Sequence, residues 1–477
     1  MTLSFGVLAH VVLQMMTAVR ALSRRDRQPA SRAAWLLLIA ALPVIGIVFY
    51  YLFGETKIGV RTARRMEEAT KRLGRPRTAE KVKTAAAAIP VQFRQVFRRA
   101  EAVNGFWPLG GNTALLPPDE NAAIRALIDD IDAARHHVHL LFYIWLEDGN
   151  GLRVLDAVER AAARGVTCRL LIDGLGSRHM ARSRRWRRLG KAGVKTAITF
   201  KMRWLLFHIF FARIDLRNHR KIAVIDGKIG YCGSQNCADP EFRVKAKYAP
   251  WVDMLMRFEG PVVDQLQHLF AIDWMAHGRE DISAVLDDPI PADPAGFHAI
   301  AVGTGPTIDN RAVSDLFALL MAAAEDEVII STPYFVPDDT LLRAIHGAAL
   351  RGVTVTLILP ERNDSFFVAR ASRSYYSDLL GAGVRIAEYR KGLLHAKTLT
   401  VDGRAACIGS ANMDRRSFEL NFENNLIFVS EAVTGLIRAR QLTYLSDAHE
   451  LGREQIDTQR WSSRMIDNLF ATMGPLL

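Results

Sequence analysis

Cysteine is scarce in this 477-residue chain: Cys168, Cys232, Cys237 and Cys407 are the only four, and no two form a C-x-x-C pair. So few exclude a disulfide framework and say little about redox compartment. Residues 101–477 also lack a basic excess, with 44 Lys/Arg against 45 Asp/Glu. A nucleic-acid enzyme would carry its positive footprint on the domain that grips phosphates, so this balance argues against one. No basic stretch precedes the first apolar run, Leu3 to Val19, and no small-x-small site closes it, which argues against a signal peptide. With 49% hydrophobic and 23% charged residues, the chain is neither disordered nor collagen-like.

The basic charge lies instead in residues 1–100, where 18 Lys/Arg face 5 Asp/Glu. Beside apolar runs, such charge suits anionic lipid headgroups, at about 1 kcal/mol per Lys/Arg near the surface. Ala33 to Phe53 is 21 residues without a charge. As one helix it would be about 31 Å long, enough for a hydrocarbon core of about 30 Å. Trp35 at one end and Tyr50 and Tyr51 at the other resemble an aromatic belt. The first run is weaker, because it holds His10 and Gln14. A two-helix transmembrane hairpin over 1–54 is expected, then a basic connector over 55–105. Five Arg between Arg20 and Arg32 favour a cytoplasmic loop, but Lys57, Arg61, Arg64 and Arg65 follow the second run too, so sidedness stays open.

The remainder is built twice. Val138 to Asp148 is a β-rich run, followed by an amphipathic stretch, Arg164-Gly165-Val166-Thr167 and the apolar strand Cys168 to Ile172. Val328 to Asp339 opens the same series, which continues through Arg351-Gly352-Val353-Thr354 to the strand Val355 to Leu359. Strands alternating with helices of this length indicate an α/β fold. Two repeats are expected, 106–290 and 291–477, each a mixed sheet flanked by helices and related by a pseudo-twofold axis.

Each repeat carries the same reactive motif. His219, Lys221 and Asp226 precede Gly233, Ser234 and Asn236; His395, Lys397 and Asp402 precede Gly409, Ser410 and Asn412. All six positions repeat at an offset of 176 residues. Alternation along a strand puts His and Lys on one face, and Asp-Gly turns the chain into the next strand. Two imidazoles, two ammoniums and two carboxamides meeting at the axis suit a phosphodiester. Lys and Asn would hold its non-bridging oxygens, with Ser234 and Ser410 beside them. One His would attack phosphorus while the other protonates the leaving alkoxide. The Lys pair supplies the positive charge, so no metal or other cofactor is expected. Asp226 and Asp402 complete the catalytic motif, though their place at the turn suggests support rather than contact with substrate.

This duplicated motif resembles the signature of the phospholipase D superfamily, over about residues 106–477. The N-terminal apolar pair ending in Leu52-Phe53-Gly54 is similar to the anchor of bacterial cardiolipin synthases of the two-span type. So are Tyr143-Ile144-Trp145, Trp251-Val252-Asp253 and the run from Asn412 through Ser417-Phe418 to Glu423. The resemblance implies phosphatidyl transfer through a phosphohistidine, with His219 as nucleophile by analogy and Asp253 and Glu423 orienting the imidazoles. Which carboxylate serves which His is left open. It also implies phosphatidylglycerol and anionic membrane lipids as partners, no nucleic acid, and an integral, multi-pass place in the bacterial inner membrane. Phosphatidylethanolamine as co-substrate and simple hydrolysis of phospholipids are the alternatives. Trp204 to Ala212, Phe366 and Phe367 are candidate lipid-facing or buried apolar elements, and nothing in the sequence sets an oligomeric state.

Overall fold

The computed structural model describes residues 2–24, 29–55, 59–76, 89–200, 213, 215–286, 291–309 and 311–472. The run Trp204 to Ala212 therefore lies outside the described residues.

The two repeats share one sixteen-stranded mixed sheet. Its middle is the antiparallel pair of Leu109–Leu115 with Phe297–Thr304, one strand from each repeat. On one side the order continues through Leu255–Glu259, Ile229–Gly233, Ile222–Ile225, His137–Phe142, Thr167–Asp173 and Lys195–Thr199. On the other it runs through Asn421–Val429, Ala405–Gly409, Thr398–Val401, Glu327–Ser331, Thr354–Pro360 and Arg385–Tyr389. The same succession of antiparallel then parallel strands leaves the seam both ways, as a pseudo-twofold axis requires. The expectation of two repeats holds, but their sheets are fused rather than separate.

Matching local chemistry shapes both halves. Asp148 caps the helix Gly149–Ala163 by accepting from the Gly151 amide, and Asp338 caps Asp339–Leu350 by accepting from Leu341. Each helix ends in an Arg-Gly pair whose glycine (Gly165, Gly352) has φ near +90°, a conformation that costs glycine nothing. The strands behind these helices are almost wholly buried, so side chains pack on both faces and the sequence shows apolar runs rather than alternation.

Part of the expected connector belongs to the body. The helix Arg94–Asn104 buries Val96, Phe97 and Ala100 in the main core, next to Phe93. Asn104 also exchanges two 2.7 Å hydrogen bonds with the Gly303 backbone. Its basic surface residues conceal an apolar stripe, which is why charge alone marks it as linker.

The N-terminal expectation changes more. Helix α1, Thr2–Leu22, is continuous despite His10 and Gln14, and Phe5–Leu22 is the one stretch among the described residues both long and apolar enough to cross a membrane. Ala33 to Phe53 is not one span. It divides into α2, Pro29–Ala41, and α3, Pro43–Phe53, at the non-helical Leu42. Pro43 has no amide hydrogen and restricts the residue before it, so the helix breaks there.

Candidate active site

The two motif histidines reach one cavity, of about 290 Å³, with His219, His395, Asn236, Asn412, Tyr143 and Tyr334 among its walls. Short parallel strand pairs bring them there. Arg217–Asn218 pairs with the start of Asn421–Val429, and Leu393–Leu394 with Trp251–Val252. Each pair sets a histidine from one repeat beside a carboxylate from the other. The His219 amide donates to the Phe422 carbonyl at 2.9 Å, and His395 to Val252 at 2.7 Å.

The carboxylates therefore serve across the repeats. His219 Nδ1 lies 2.9 and 3.0 Å from the oxygens of Glu423, and His395 Nδ1 lies 2.7 Å from Asp253 Oδ1. Both acids are buried and held below the usual carboxylate range. Burial alone would raise them, but the facing imidazole and lysines outweigh it. Burial pulls His219 down to about 4, with Lys221 and Lys397 adding to the shift and Glu423 opposing it; His395 is lowered for the same chief reason. Both rings are thus neutral at pH 7. With Nδ1–H donated to a carboxylate, Nε2 carries the lone pair, the state a nucleophile or base needs.

The lysines stand beside these rings. Lys221 Nζ donates to the His219 carbonyl at 2.7 Å; Lys397 Nζ donates to the His395 carbonyl at 2.8 Å and lies 3.2 Å from His395 Nε2. Burial and the neighbouring Lys397 bring Lys221 down to about 7, and burial brings Lys397 down to about 8. Asn236 accepts from the Ile144 amide at 3.0 Å while its Nδ2 has no partner among the described residues. Asn412 donates its Nδ2 to Ser417 at 3.1 Å, and its Oδ1 has no partner among the described residues.

The serines and aspartates of the two motifs find partners within the protein. Against the expectation of phosphate binding, the Ser234 hydroxyl donates to Asp253 at 2.6 Å, Ser410 donates to Glu423, and neither serine is among the residues lining the cavity. They brace the orienting carboxylates. Asp226 and Asp402 belong to the turns. Asp226 accepts the amides of Arg135, His136 and His137 at 2.7–2.9 Å, and Asp402 those of Glu325, Asp326 and Glu327 at 2.8–3.0 Å. Their φ values of 53° and 51° lead into Gly227 and Gly403, also left-handed, making the tight hairpin. The third letter of the motif fixes the strand carrying the first two.

The sequence reading left three aromatic rings without a role. Tyr143 stacks edge-on to His219 at 4.7 Å, Trp251 lies 4.5 Å from His395, and Tyr334 approaches the same ring at 6.5 Å. Tyr143 and Tyr334 follow the first parallel strand of their repeats, so the duplication itself held the signal. Among the described residues no group of three or more His, Cys, Asp or Glu is arranged to hold a metal ion.

Fold and motif together define a phospholipase D-like protein. Residues 127–274 and 317–440 match the family pattern described as cardiolipin synthase, phospholipase D-like domain, and residues 12–55 match a phospholipase D-nuclease N-terminal pattern. Cardiolipin synthase A of Serratia proteamaculans is 36% identical over 465 residues, 96% of this chain and 95% of that protein. Cardiolipin synthase A of Yersinia pseudotuberculosis is 36% identical over 473 residues, with the same coverage. Among solved structures, phosphatidylserine synthase of Haemophilus influenzae shares the fold at a TM-score of 0.56 and 13% identity, covering 81% of this chain and 97% of that one. The chain belongs to the cardiolipin synthase family and is an enzyme of the phosphatidyltransferase class acting on phospholipids.

Proposed function

We propose that the protein makes cardiolipin from two molecules of phosphatidylglycerol, releasing glycerol, at the inner membrane of a bacterium. The observation that carries this reading is the pair of neutral, carboxylate-braced imidazoles on one cavity. In the first step His219 Nε2 attacks phosphorus, the bond to the glycerol oxygen breaks, and His395 passes to that oxygen a proton taken from the Lys397 ammonium, which lies 3.2 Å from His395 Nε2. Lys221, Lys397 and the Asn236 amide hold the non-bridging oxygens. In the second step His395 takes the proton from the hydroxyl of another phosphatidylglycerol, whose oxygen displaces His219 from phosphorus. His219 is given the nucleophile's part by its resemblance to the superfamily.

Lipid access is supported by the rim. The helices Phe366–Arg373 and Trp461–Thr472 meet where Phe470 packs on Phe366 and Phe367 at 5.6 and 5.1 Å. Phe366, Phe367, Trp461, Met465 and Leu469 remain exposed, and Phe366 stands two residues along the chain from the cavity-lining Asp364. An apolar face beside a phosphotransfer cavity fits a substrate that stays in a bilayer.

Incubating the full-length protein with headgroup-labelled and acyl-labelled phosphatidylglycerol tests the proposal. Cardiolipin and free glycerol in equal amounts are expected. Phosphatidic acid as the main product would make the protein a hydrolase and overturn it.

A further inference from the structure

The break at Leu42 has a geometric consequence for the membrane. In a straight helix Leu38 and Gly46 would be separated by about 12 Å, and Trp35 and Tyr50 by about 22 Å. Instead the Trp35 and Tyr50 rings are 5.5 Å apart, and a Cβ on Gly46 would fall 2.5 Å from the Leu38 carbonyl oxygen. Helices α2 and α3 therefore fold back on each other. With 13 and 11 residues they are about 20 and 16 Å long, too short for a core of about 30 Å.

The hairpin is finished for an apolar medium. Without an amide hydrogen, Pro43 cannot bond the Ile39 carbonyl, and an orphaned carbonyl is costly in hydrocarbon. Gln14 of α1 donates its Nε2 to that same oxygen at 2.9 Å. The residue that weakened the first apolar run thus caps the bend in the second. Leu37, Leu42, Val44, Ile45, Val48 and Phe49 are exposed around the bend. Charge gathers at the opposite end: Arg20, in the last turn of α1, bridges Glu55 just beyond α3, and Tyr50 donates to the same carboxylate at 3.1 Å. The end of α1 and the end of α3 thus lie at one level.

We propose that α1 alone crosses the bilayer and that α2 and α3 form a re-entrant hairpin, entering and leaving the leaflet on the side of the catalytic body. That arrangement resolves the charge conflict in the sequence. Two full spans would put the Arg20–Arg32 cluster and the Lys57–Arg65 cluster on opposite faces. A re-entrant hairpin puts all nine cations on one face, which the positive-inside rule makes cytoplasmic. The catalytic body follows them into the cytoplasm, and the occupant of the apolar bend is the hydrocarbon of the cytoplasmic leaflet.

The four native cysteines are buried in the body, so single engineered cysteines in the full-length chain can be read against a quiet background. Thr2→Cys, Ser23→Cys and Val60→Cys are labelled with a membrane-impermeant maleimide in intact spheroplasts and in inverted vesicles. Ala30→Cys doubles for Ser23→Cys should that variant not accumulate. Ser23→Cys and Val60→Cys are expected to react only in inverted vesicles, and Thr2→Cys only in spheroplasts. Reaction of Ser23→Cys from the face opposite Val60→Cys would restore two full spans and overturn the proposal. Reaction of all three from one face would remove the crossing by α1 and overturn it equally.

Discussion

Replacing Glu423 by glutamine isolates what an orienting carboxylate does from what the fold does, because the shape is nearly kept and one charge is lost. Glu423 is fully buried, and its oxygens receive His219 Nδ1–H at 2.9–3.0 Å, Asn421 Nδ2 at 3.0 Å and the Ser410 hydroxyl. An imidazolium and a carboxylate about 4 Å apart attract by about 4 kcal/mol at an effective dielectric of 20. Losing that attraction when His219 carries charge amounts to about a thousandfold in rate. The glutamine NH2 would also face a site already crowded with donors, so the imidazole loses its fixed tautomer. In serine proteases the equivalent change costs about 10⁴ in kcat. We expect Glu423→Gln to lower kcat by about 10³–10⁴ with little change in KM. Because Glu423 raises the pKa of His219, the acid limb of the pH–rate profile should move further down from about 4. The assay is the initial rate of cardiolipin formation in mixed micelles from pH 3 to 9. A loss below tenfold with an unmoved profile would refute the role assigned to Glu423.

Five further outcomes are expected. His219→Ala and His395→Ala should each abolish transfer, and EDTA should leave the wild-type rate unchanged because the lysines supply the charge; activity lost to EDTA and restored by a divalent ion would contradict this. In the substrate-free enzyme kcat/KM should fall on the alkaline side as Lys221 discharges above about 7 and Lys397 above about 8, and a profile flat to pH 9 would count against their binding phosphate as cations. Lys221 binds its proton more weakly folded than unfolded, so its contribution to stability falls as pH drops from its ordinary 10.5 to about 7 and is constant below; Lys221→Met should therefore raise the melting temperature at pH 7 and lose that advantage near pH 10. Asp226→Ala should cost about 2–3 kcal/mol by stranding three backbone amides, yet leave kcat per folded molecule within a few-fold, which chemical unfolding beside activity would check.

The site was legible where chemistry repeats. An offset of 176 residues common to six positions singles out His219 and His395 without any knowledge of their neighbours. What escaped depends on contacts between distant segments. The pairing of His219 with Glu423, 204 positions away, exists only because the strand Asn421–Val429 reaches into the other repeat. Ser234 and Ser410 looked like phosphate ligands because they stand next to the motif asparagines. Only the packed sheet shows their hydroxyls turned toward the carboxylates. The α/β architecture follows from alternating apolar runs and helices, whereas the fusion of both sheets across Leu109–Leu115 and Phe297–Thr304 leaves no periodic trace. Length and hydropathy read Ala33 to Phe53 as one span. The bend at Pro43 and its cap from Gln14 are long-range facts that a window of hydropathy averages away.

The stereochemical course at phosphorus tests most directly whether the phosphatidyl group passes through the enzyme. Phosphatidylglycerol made chiral at phosphorus with a single sulfur in place of one non-bridging oxygen is converted by the full-length protein, and the configuration of the product's transferred phosphorus is read by NMR. Two in-line displacements, first by a histidine and then by the acceptor hydroxyl, predict net retention. Net inversion would mean direct attack of one lipid on the other and would contradict the covalent mechanism.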